Sequence, residues 1–340
     1  MSAVKRCLIT GVGGQDGSHL AEQLLAEDCE VWGLVRPTSG ASLGHAAQAA
    51  NAGLHILSGD VTDAASVRKA IRDVRPEEVY HLAAQSHVGT SFSDPEHTFR
   101  VNTEGTLHVL NAVKELYPRG RVYVAGTAEL YGRSPPPHTE DSVWMPASPY
   151  AASKAAACHL ARIYRASYGL HVTVGILGNH EGPRRGVRFV TKKVAMYAAR
   201  LGAAPDKDAV PPLQLGNLDA AKDWGYAPDY TEAMQLILLA DEPRDYIVST
   251  GESNTVRDFV QAAFDVVGVK DWQSHVVVTP SEVRPWDTVP FTGQPTRIQT
   301  DLGWVAKTRF HALVRLMVEA EQAALKANSA SATPVPVGRV

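Results

Sequence analysis

The chain has 340 residues, 44% of them hydrophobic and 20% charged, and a formal net charge of −3. These values are ordinary for a globular protein and allow one large or two modest domains. The balanced charge excludes an extended nucleic-acid surface or a polybasic membrane patch, and no apolar stretch reaches transmembrane length. We expect no nucleic-acid or membrane partner, and a cytoplasmic location, because no signal peptide is recognisable.

Cysteine usage points to a reducing compartment. The chain has three cysteines, Cys7, Cys29 and Cys158, each within an apolar stretch. An odd, sparse count does not build a disulfide framework, and no spacing matches a metal site. We therefore predict buried thiols and no metal.

The first 180 residues alternate between strand-like and helix-like segments. Apolar runs predict strands over 7–10, 30–35, 54–57, 78–82, 121–125 and 172–177. Helical spacing predicts helices over 18–26, 64–74, 96–116 and 148–168, the last with Ser148 as N-cap and Pro149 in its first turn. This alternation predicts an α/β protein with a Rossmann-type, doubly wound parallel sheet.

The alternation breaks after residue 178. Helices are predicted over 190–201, 231–240, 256–267 and 310–324, with a strand over 245–250. We predict a Rossmann domain over 1–178. Residues 179–326 would form a smaller α/β region that binds substrate, with some elements returning to the main sheet. The polar tail over 327–340 is predicted to be flexible.

Three glycines, Gly11, Gly14 and Gly17, join the first strand to the first helix. Glycine permits a tight turn and a close approach of the backbone to a pyrophosphate, which the helix N-terminus then faces. Such a loop can be an ordinary turn. Its place at the first strand–helix junction favours a dinucleotide site.

Two residues bear on the choice of cofactor. Arg36 follows the second strand, where an NAD site usually has an acidic residue, and arginine favours the 2′-phosphate of NADP. The alternative is an exposed arginine without a partner. Asp60 follows the third strand, where it either meets the adenine amine or caps the next helix. The prediction is an NADP-binding first domain.

Four residues have the types and spacing of a catalytic set. Tyr150 and Lys154 are four residues apart on a predicted helix and share a face. A buried ammonium beside the phenol is expected to lower the phenol pKa and make it a usable base. Thr127 ends a strand, and Glu129, two residues later, can remove a proton next to a transient ketone. The alternatives are a solvated helix face and a surface glutamate.

Together these residues resemble the extended short-chain dehydrogenase/reductases. Within them, the chain is most similar to the GDP-mannose 4,6-dehydratase family, from about residue 5 to 320. The more specific segments are 14–18, 81–88, 179–186, 189–193 and 215–219.

The resemblance implies a full set of site residues. It implies that Thr127, Glu129 and Tyr150 are the catalytic residues and that Lys154 supports Tyr150. The cofactor contacts it implies, with Arg36 added from the reasoning above, are Gly11, Val12, Gly13, Gly14, Gln15, Asp16, Arg36, Asp60, Val61, Leu82, Ala83, Ala84, Gln85, Ser86, Lys154, His180 and Arg185. The implied substrate contacts are Ser86, Asn179, Val190, Lys193, Lys222 and Arg284. A homodimer or homotetramer is expected by analogy.

The reaction implied by the resemblance is an internal redox cycle on a nucleotide-diphosphate sugar, with a GDP-hexose favoured. Tyr150 deprotonates the 4-hydroxyl while hydride passes to NADP. Glu129 then removes the C5 proton, water leaves from C6, and hydride returns to C6. Ala128 stands where the family has serine. A nucleotide-sugar epimerase or 4-dehydrogenase of the same fold is the nearest alternative, and a non-catalytic dinucleotide sensor is a second.

Overall fold

A computed structural model describes residues 4–37, 43–279 and 290–331, with side chains described up to residue 328. Its strands are β1 (Arg6–Thr10), β2 (Glu30–Val35), β3 (His55–Ser58), β4 (Glu78–His81), β5 (Arg121–Ala125), β6 (Val172–Leu177), β7 (Asn179–Glu181), β8 (Leu213–Leu215), β9 (Ala221–Tyr226), β10 (Asp245–Val248), β11 (Ser253–Thr255) and β12 (Val276–Val278). Its α-helices are α1 (Gln15–Ala26), α2 (Ala47–Asn51), α3 (Ala64–Val74), α4 (Val88–Ser93), α5 (Pro95–Phe99), α6 (Gly105–Leu116), α7 (Pro149–Tyr168), α8 (Val190–Ala203), α9 (Ala227–Leu239), α10 (Val256–Val266), α11 (Thr296–Leu302) and α12 (Phe310–Ser331).

A central sheet of seven strands organises the described residues. Its order is β3-β2-β1-β4-β5-β6-β10, and every neighbouring pair is parallel. The predicted doubly wound parallel sheet is therefore confirmed. From β1 the chain adds β2 and β3 toward one edge of the sheet, and it then adds β4, β5 and β6 toward the other edge. Open sheets of this kind bind ligands at the carboxyl ends of the strands beside the point where the strand order reverses, here between β1 and β4.

Helices bury both faces of this sheet. One core joins the sheet to α3, α6 and α7, and a second joins it to α1, α9 and α11. The strands are accordingly apolar on both sides, and all six residues of β6 are buried. In α3 the buried residues are Val67, Ala70, Ile71 and Val74, which is the spacing of a helix with one apolar stripe.

The long helix predicted over 96–116 is interrupted. The chain runs through α5, a π-helical turn over Arg100–Glu104, and then α6. A π-turn accommodates one extra residue and often lies at a functional site. Here it directs the buried side chain of Asn102 toward the strand ends. The short helix α4 before it was not predicted.

The start of α7 is as predicted. Ser148 Oγ accepts a hydrogen bond from the Ala151 N–H at 3.0 Å, and Pro149 is the first helical residue. A serine cap and a proline that needs no hydrogen-bond partner fix this end of the helix. Gly169, at φ +66°, ends it. The orientation of Tyr150 in the first turn is thereby fixed.

The second half of the chain forms a third core. Helices α8, α10 and α12 pack around Trp224 and Phe259. A three-stranded sheet, β11-β9-β7, and the pair β12-β8 lie beside them. A valine strand was expected within 274–295 and is present as β12. The strands β7, β8, β9 and β11 and the helix α11 were not predicted. As expected for returning elements, β10 pairs with β6 in the main sheet.

The last helix is longer than predicted. It continues to Ser331, so residues 327–331, assigned to the flexible tail, are helical. The buried residues Phe310, Leu313, Val314, Met317 and Val318 recur at helical spacing and anchor its first half. Residues 332–340 lie outside the described part of the chain.

All three cysteines are buried with free thiols. None of the helices described is both long and apolar enough to cross a membrane. Among the described residues, no group of three or more His, Cys, Asp or Glu side chains has the arrangement of a metal site.

We predict that Leu313→Ala lowers the free energy of unfolding by about 2–5 kcal/mol, because it opens a cavity in the third core. Leu313 is fully buried on α12, whereas Leu316 on the same helix is 39% exposed. Leu316→Ala is the matched control and should cost less than about 1 kcal/mol. Urea unfolding measures both, and equal losses would contradict the assigned packing of α12.

Candidate active site

A cleft of about 750 Å³ opens at the carboxyl ends of the central strands. Its walls come from the glycine turn after β1, the segment after β4, the end of β5 and the first turns of α7. The cleft lies at the reversal point between β1 and β4, where a doubly wound sheet binds its ligand. The geometry thus places the predicted catalytic residues, and the predicted cofactor residues except Val12, around one space.

Two glycines in the turn are required by its geometry. Gly11 has φ +77°, and a Cβ there would lie 2.7 Å from the Ala83 backbone nitrogen. A Cβ on Gly17 would lie 2.5 Å from the Gly11 carbonyl oxygen. Both positions therefore exclude a side chain, and β1, α1 and the segment after β4 approach closely enough to form a narrow floor.

Asp16 and His180 form an ion pair at one end of the cleft. His180 Nε2 lies 3.0 Å from Asp16 Oδ2, and its Nδ1 donates to the Gly178 carbonyl at 2.8 Å. Burial acts to raise the pKa of Asp16, but the charge and hydrogen bond of His180 outweigh it and bring that pKa to about 2. For His180, burial acts to lower the pKa and the Asp16 charge raises it, with a net increase.

Arg36 and Asp60 lie on the adenine side expected for a dinucleotide. Both line the cleft. Arg36 is exposed and makes no hydrogen bond or ion pair within the part of the chain that the structure describes. Asp60 Oδ1 accepts from the N–H and hydroxyl of Thr62, both at 2.9 Å. The capping interpretation of Asp60 is wrong: it makes a local turn, and α3 is capped by Asp63, whose side chain accepts from the Ala65 N–H. The Asp60 side chain borders the cleft.

Tyr150 and Thr127 face each other in the cleft wall. The Thr127 hydroxyl hydrogen-bonds the Tyr150 phenol and accepts from the Glu129 N–H at 3.3 Å. The predicted lowering of the Tyr150 pKa by Lys154 is wrong for this structure. Burial is the dominant effect and raises the pKa of Tyr150 to about 12, because a phenolate loses its hydration there, while Thr127 acts in the lowering direction.

Lys154 lies one turn after Tyr150 and is 5% exposed. Burial lowers the pKa of its ammonium. It forms no hydrogen bond or ion pair with any residue described, and it lines the cleft. The amine is therefore positioned for a ligand in the cleft.

Glu129 also lies in the cleft wall, as predicted from its spacing to Thr127. It occupies a 3₁₀ turn, Ala128–Leu130, that Thr127 caps. Its Oε1 lies 3.6 Å from the Nζ of Lys222, which approaches from β9. This contact between the two halves of the chain was not expected, because the resemblance assigns Lys222 only to the substrate diphosphate.

Asn102 is a site-organising residue that the sequence analysis missed. Its Oδ1 accepts from the Gln85 N–H at 2.8 Å, and its Nδ2 donates to the Gln85 carbonyl at 3.1 Å and to Ser153 Oγ at 2.9 Å. Ser153 Oγ in turn donates to the Tyr150 carbonyl at 2.7 Å. The only sequence signal was an asparagine inside an apolar helical pattern, where a polar residue needs a reason.

The predicted substrate residues are placed less uniformly. Asn179 lines the cleft, and Val190 and Lys193 lie on the first turn of α8 beside the cleft-lining Phe189. Arg185, predicted as a cofactor contact, also lines the cleft, where it pairs with Glu181 at 2.9 Å and its guanidinium lies 3.5 Å from the centre of the Phe189 ring.

Most of the remaining predicted contacts line the cleft. Residues that line the cleft as predicted are Gly11, Gly13, Gly14, Gln15, Asp16, Val61, Leu82, Ala83, Ala84, Gln85, Ser86 and His180. Val12 does not line it, because its side chain is fully buried under Gly33. Arg284 lies outside the described residues.

Comparison with known proteins identifies the family. The model of the family described as GDP-mannose 4,6 dehydratase matches residues 8–317. The chain belongs to this family. It is 41% identical to GDP-mannose 4,6 dehydratase 1 of Arabidopsis thaliana, covering 93% of this chain and 89% of the relative. It is 39% identical to the Homo sapiens GDP-mannose 4,6 dehydratase, covering 94% and 92%.

Solved structures agree with this assignment at the level of fold. The UDP-glucose 4-epimerase of Thermus thermophilus, in complex with NAD, has a TM-score of 0.82 and 32% identity, covering 94% of this chain and 99% of that one. The GDP-mannose 4,6-dehydratase family thus shares its architecture with nucleotide-sugar epimerases, which makes the site residues the features that distinguish the two activities.

The ion pair in this dehydratase-family cleft gives a pH-dependent stability. Because folding raises the pKa of His180 above 6.5, its contribution is complete below pH 6.5 and is lost as the pH rises through the folded value. Asp16, with its pKa lowered from 3.8 to about 2, contributes above pH 3.8 and loses that contribution toward pH 2.

We therefore predict that the unfolding free energy of the wild type falls as the pH rises above about 6.5, and that His180→Gln flattens this slope. Asp16→Asn should flatten it too, since it removes the charge that raises the His180 pKa. Denaturant unfolding at a series of pH values measures the slope. An unchanged slope in both variants would contradict the pairing.

Proposed function

We propose that this chain is an NADP-dependent GDP-mannose 4,6-dehydratase that forms GDP-4-keto-6-deoxymannose. The observation that carries the proposal is the position of the Glu129 carboxylate in the same cleft wall as Thr127 and Tyr150. A base next to the group that oxidises a sugar hydroxyl is what elimination from the resulting ketone requires. Membership of the family and the identity to its relatives support the same activity.

The residues around the cleft suit a dinucleotide. The glycine turn and the N-terminus of α1 would receive the pyrophosphate. Lys154, which has no protein partner among the described residues, would bind hydroxyl groups of the nicotinamide ribose. Leu82 to Ser86 would lie along the cofactor, and the Asp16–His180 pair would close the turn. When bound, NADP supplies the acceptor and donor of hydride, and its oxidised ring is positively charged.

The chain's own residues would move the protons. Tyr150 would take the proton of the 4-hydroxyl, assisted by the hydrogen bond from Thr127, which stabilises its phenolate. A positive charge near the phenol acts against the effect of burial, which otherwise holds its pKa near 12. The 4-ketone acidifies the C5 hydrogen, which Glu129 would remove so that water leaves from C6.

The substrate would lie over the second half of the chain. In this proposal residues 1–178 bind NADP, and residues 179–326 bind the nucleotide and the sugar. The residues that would contact the GDP-hexose are Asn179, Val190, Lys193, Lys222 and Arg284. The three cations among them suit a doubly charged pyrophosphate. Assembly into a homodimer or homotetramer and a cytoplasmic location stay predictions.

A nucleotide-sugar epimerase is the second candidate, favoured by the structural likeness to the UDP-glucose 4-epimerase. Epimerisation also needs Tyr150 and a transient ketone, but it needs no carboxylate at position 129. The two activities give products of different mass. Incubation of the purified protein with NADP and GDP-mannose, followed by mass spectrometry, separates the loss of one water from an unchanged mass.

We predict that Glu129→Gln slows dehydration of GDP-mannose by at least about 100-fold, because an amide cannot accept the C5 proton. Oxidation at C4 should persist, so reduced nicotinamide and the 4-keto-hexose accumulate on the enzyme. Absorbance of the reduced cofactor and product mass report these steps. Tyr150→Phe is the matched contrast, in which no ketone forms. Normal dehydration by Glu129→Gln would remove Glu129 from the mechanism.

We predict that Arg36→Ala weakens NADP binding by roughly 10- to 100-fold, the effect of losing one charge-assisted contact. Binding of NAD should be unaffected, because it lacks the 2′-phosphate. Titration of both cofactors by calorimetry measures the ratio. Arg72→Ala, at an exposed arginine on α3, is the control. A parallel loss of both cofactors would contradict the assignment of Arg36 to the 2′-phosphate.

A further inference from the structure

The Lys222–Glu129 ion pair brings a cation from the second half of the chain to the cleft wall that contains Glu129. Lys222 Nζ lies 3.6 Å from Glu129 Oε1, and the side chains are 17% and 27% exposed. Two opposite charges at this distance attract more strongly in a partly buried site than in water. The carboxylate proposed to take the C5 proton therefore lies beside an ammonium that carries a proton of its own.

Both members of the pair are held by the fold. The Glu129 turn is capped by Thr127 immediately after β5. Lys222 is followed on β9 by Asp223, a fully buried residue whose carboxylate accepts from the N–H groups of Thr250 at 2.9 Å and Gly251 at 2.8 Å. Those two residues follow β10, the last strand of the central sheet. The pair is thus preorganised by two strands of the main sheet.

Loss of water from C5 and C6 needs a base and an acid. One removes the C5 proton, and another gives a proton to the oxygen leaving C6. Residue 128, next to the base, is Ala128, whose methyl group has no proton to give and is 7% exposed. A lysine ammonium can release a proton when it is partly buried, whereas an arginine guanidinium cannot.

We propose that Lys222 is the acid of the dehydration step and so a further catalytic residue of the proposed function, on which this inference rests. The C5–H electron pair forms the C5=C6 bond, and the proton joins the Glu129 carboxylate. The C6–O pair leaves with the oxygen, which takes a proton from Lys222 and departs as water. When hydride returns to C6, the Glu129 proton passes to C5, and the proton that Tyr150 took from the 4-hydroxyl restores the Lys222 ammonium by way of solvent.

The test replaces Lys222 by a cation that cannot give a proton. Lys222→Arg keeps the charge, and Lys222→Met removes it. Each variant, with NADP, is incubated with GDP-mannose in deuterated water. Three quantities are followed: reduced nicotinamide on the enzyme, deuterium entering at C5, and loss of water by mass. Circular dichroism and NADP binding establish that each variant is folded.

We expect Lys222→Arg to oxidise C4 and to exchange the C5 hydrogen, while kcat for water loss falls by about 100-fold or more and KM is unchanged. Lys222→Met should lose water no faster than Lys222→Arg. The matched control is Lys192→Arg, at a partly buried lysine that pairs with Glu321 outside the cleft. It should dehydrate at the wild-type rate.

Three results would overturn the inference. Dehydration by Lys222→Arg at the wild-type rate would mean that charge alone is needed. A higher KM with an unchanged kcat would limit Lys222 to binding the diphosphate. Loss of C5 exchange together with water loss would mean that Lys222 only maintains Glu129. If the wild type itself dehydrates no GDP-hexose, the proposed function fails instead, so the two failures are distinguishable.

Discussion

The buried carboxamide of Asn102 is the contact on which the arrangement of the cleft depends. It binds both backbone groups of Gln85, in the segment after β4, and the hydroxyl of Ser153, which precedes Lys154 on α7. A buried amide costs free energy unless its donors and acceptors are paired, and here they are paired with the two walls of the cleft. The π-turn that interrupts the α5–α6 helix is what brings this side chain to the point where both walls can use it.

The cleft is a place where burial and paired charges act in opposite directions. For Tyr150 burial dominates, and its pKa rises. For Asp16 the cation of His180 dominates, and the pKa falls although burial alone would raise it. The difference lies in the partner: Tyr150 receives one neutral hydrogen bond, whereas Asp16 faces a charge at 3.0 Å. The cleft therefore keeps a charge pair beside the glycine turn and a protonated phenol beside Thr127.

The sequence was sufficient where the determining contacts are local. The glycine turn, the Ser148 cap and the four-residue spacing of Tyr150 and Lys154 each act within one or two turns of the chain, and the structure has them where they were expected. Family resemblance extended this to most residues lining the cleft. Local pattern did not reveal the π-turn at Asn102, since the segments on both sides of it are themselves helical.

Contacts between distant segments were also invisible to the pattern. The three-residue strands β7 and β11 exist because β9 pairs with both of them, and no local signal marks them. The approach of Lys222 to Glu129 is of the same kind, as is the balance of burial and charge that sets the Tyr150 pKa. Strand pairing, ion pairs and burial of this kind depend on contacts between segments that are far apart in the sequence, and these contacts form only in the folded chain.

This distinction explains why the reacting centre cannot belong to the Rossmann half alone. Glu129 and Tyr150 come from β5 and α7, but the cation beside Glu129 comes from β9, in the second half. The buried Asp223, next to Lys222, ties that strand to the residues after β10 and so to the central sheet. Without β9, the Glu129 carboxylate would be more exposed to water and would lack the neighbouring Lys222 ammonium. The second half therefore supplies the cation that faces Glu129.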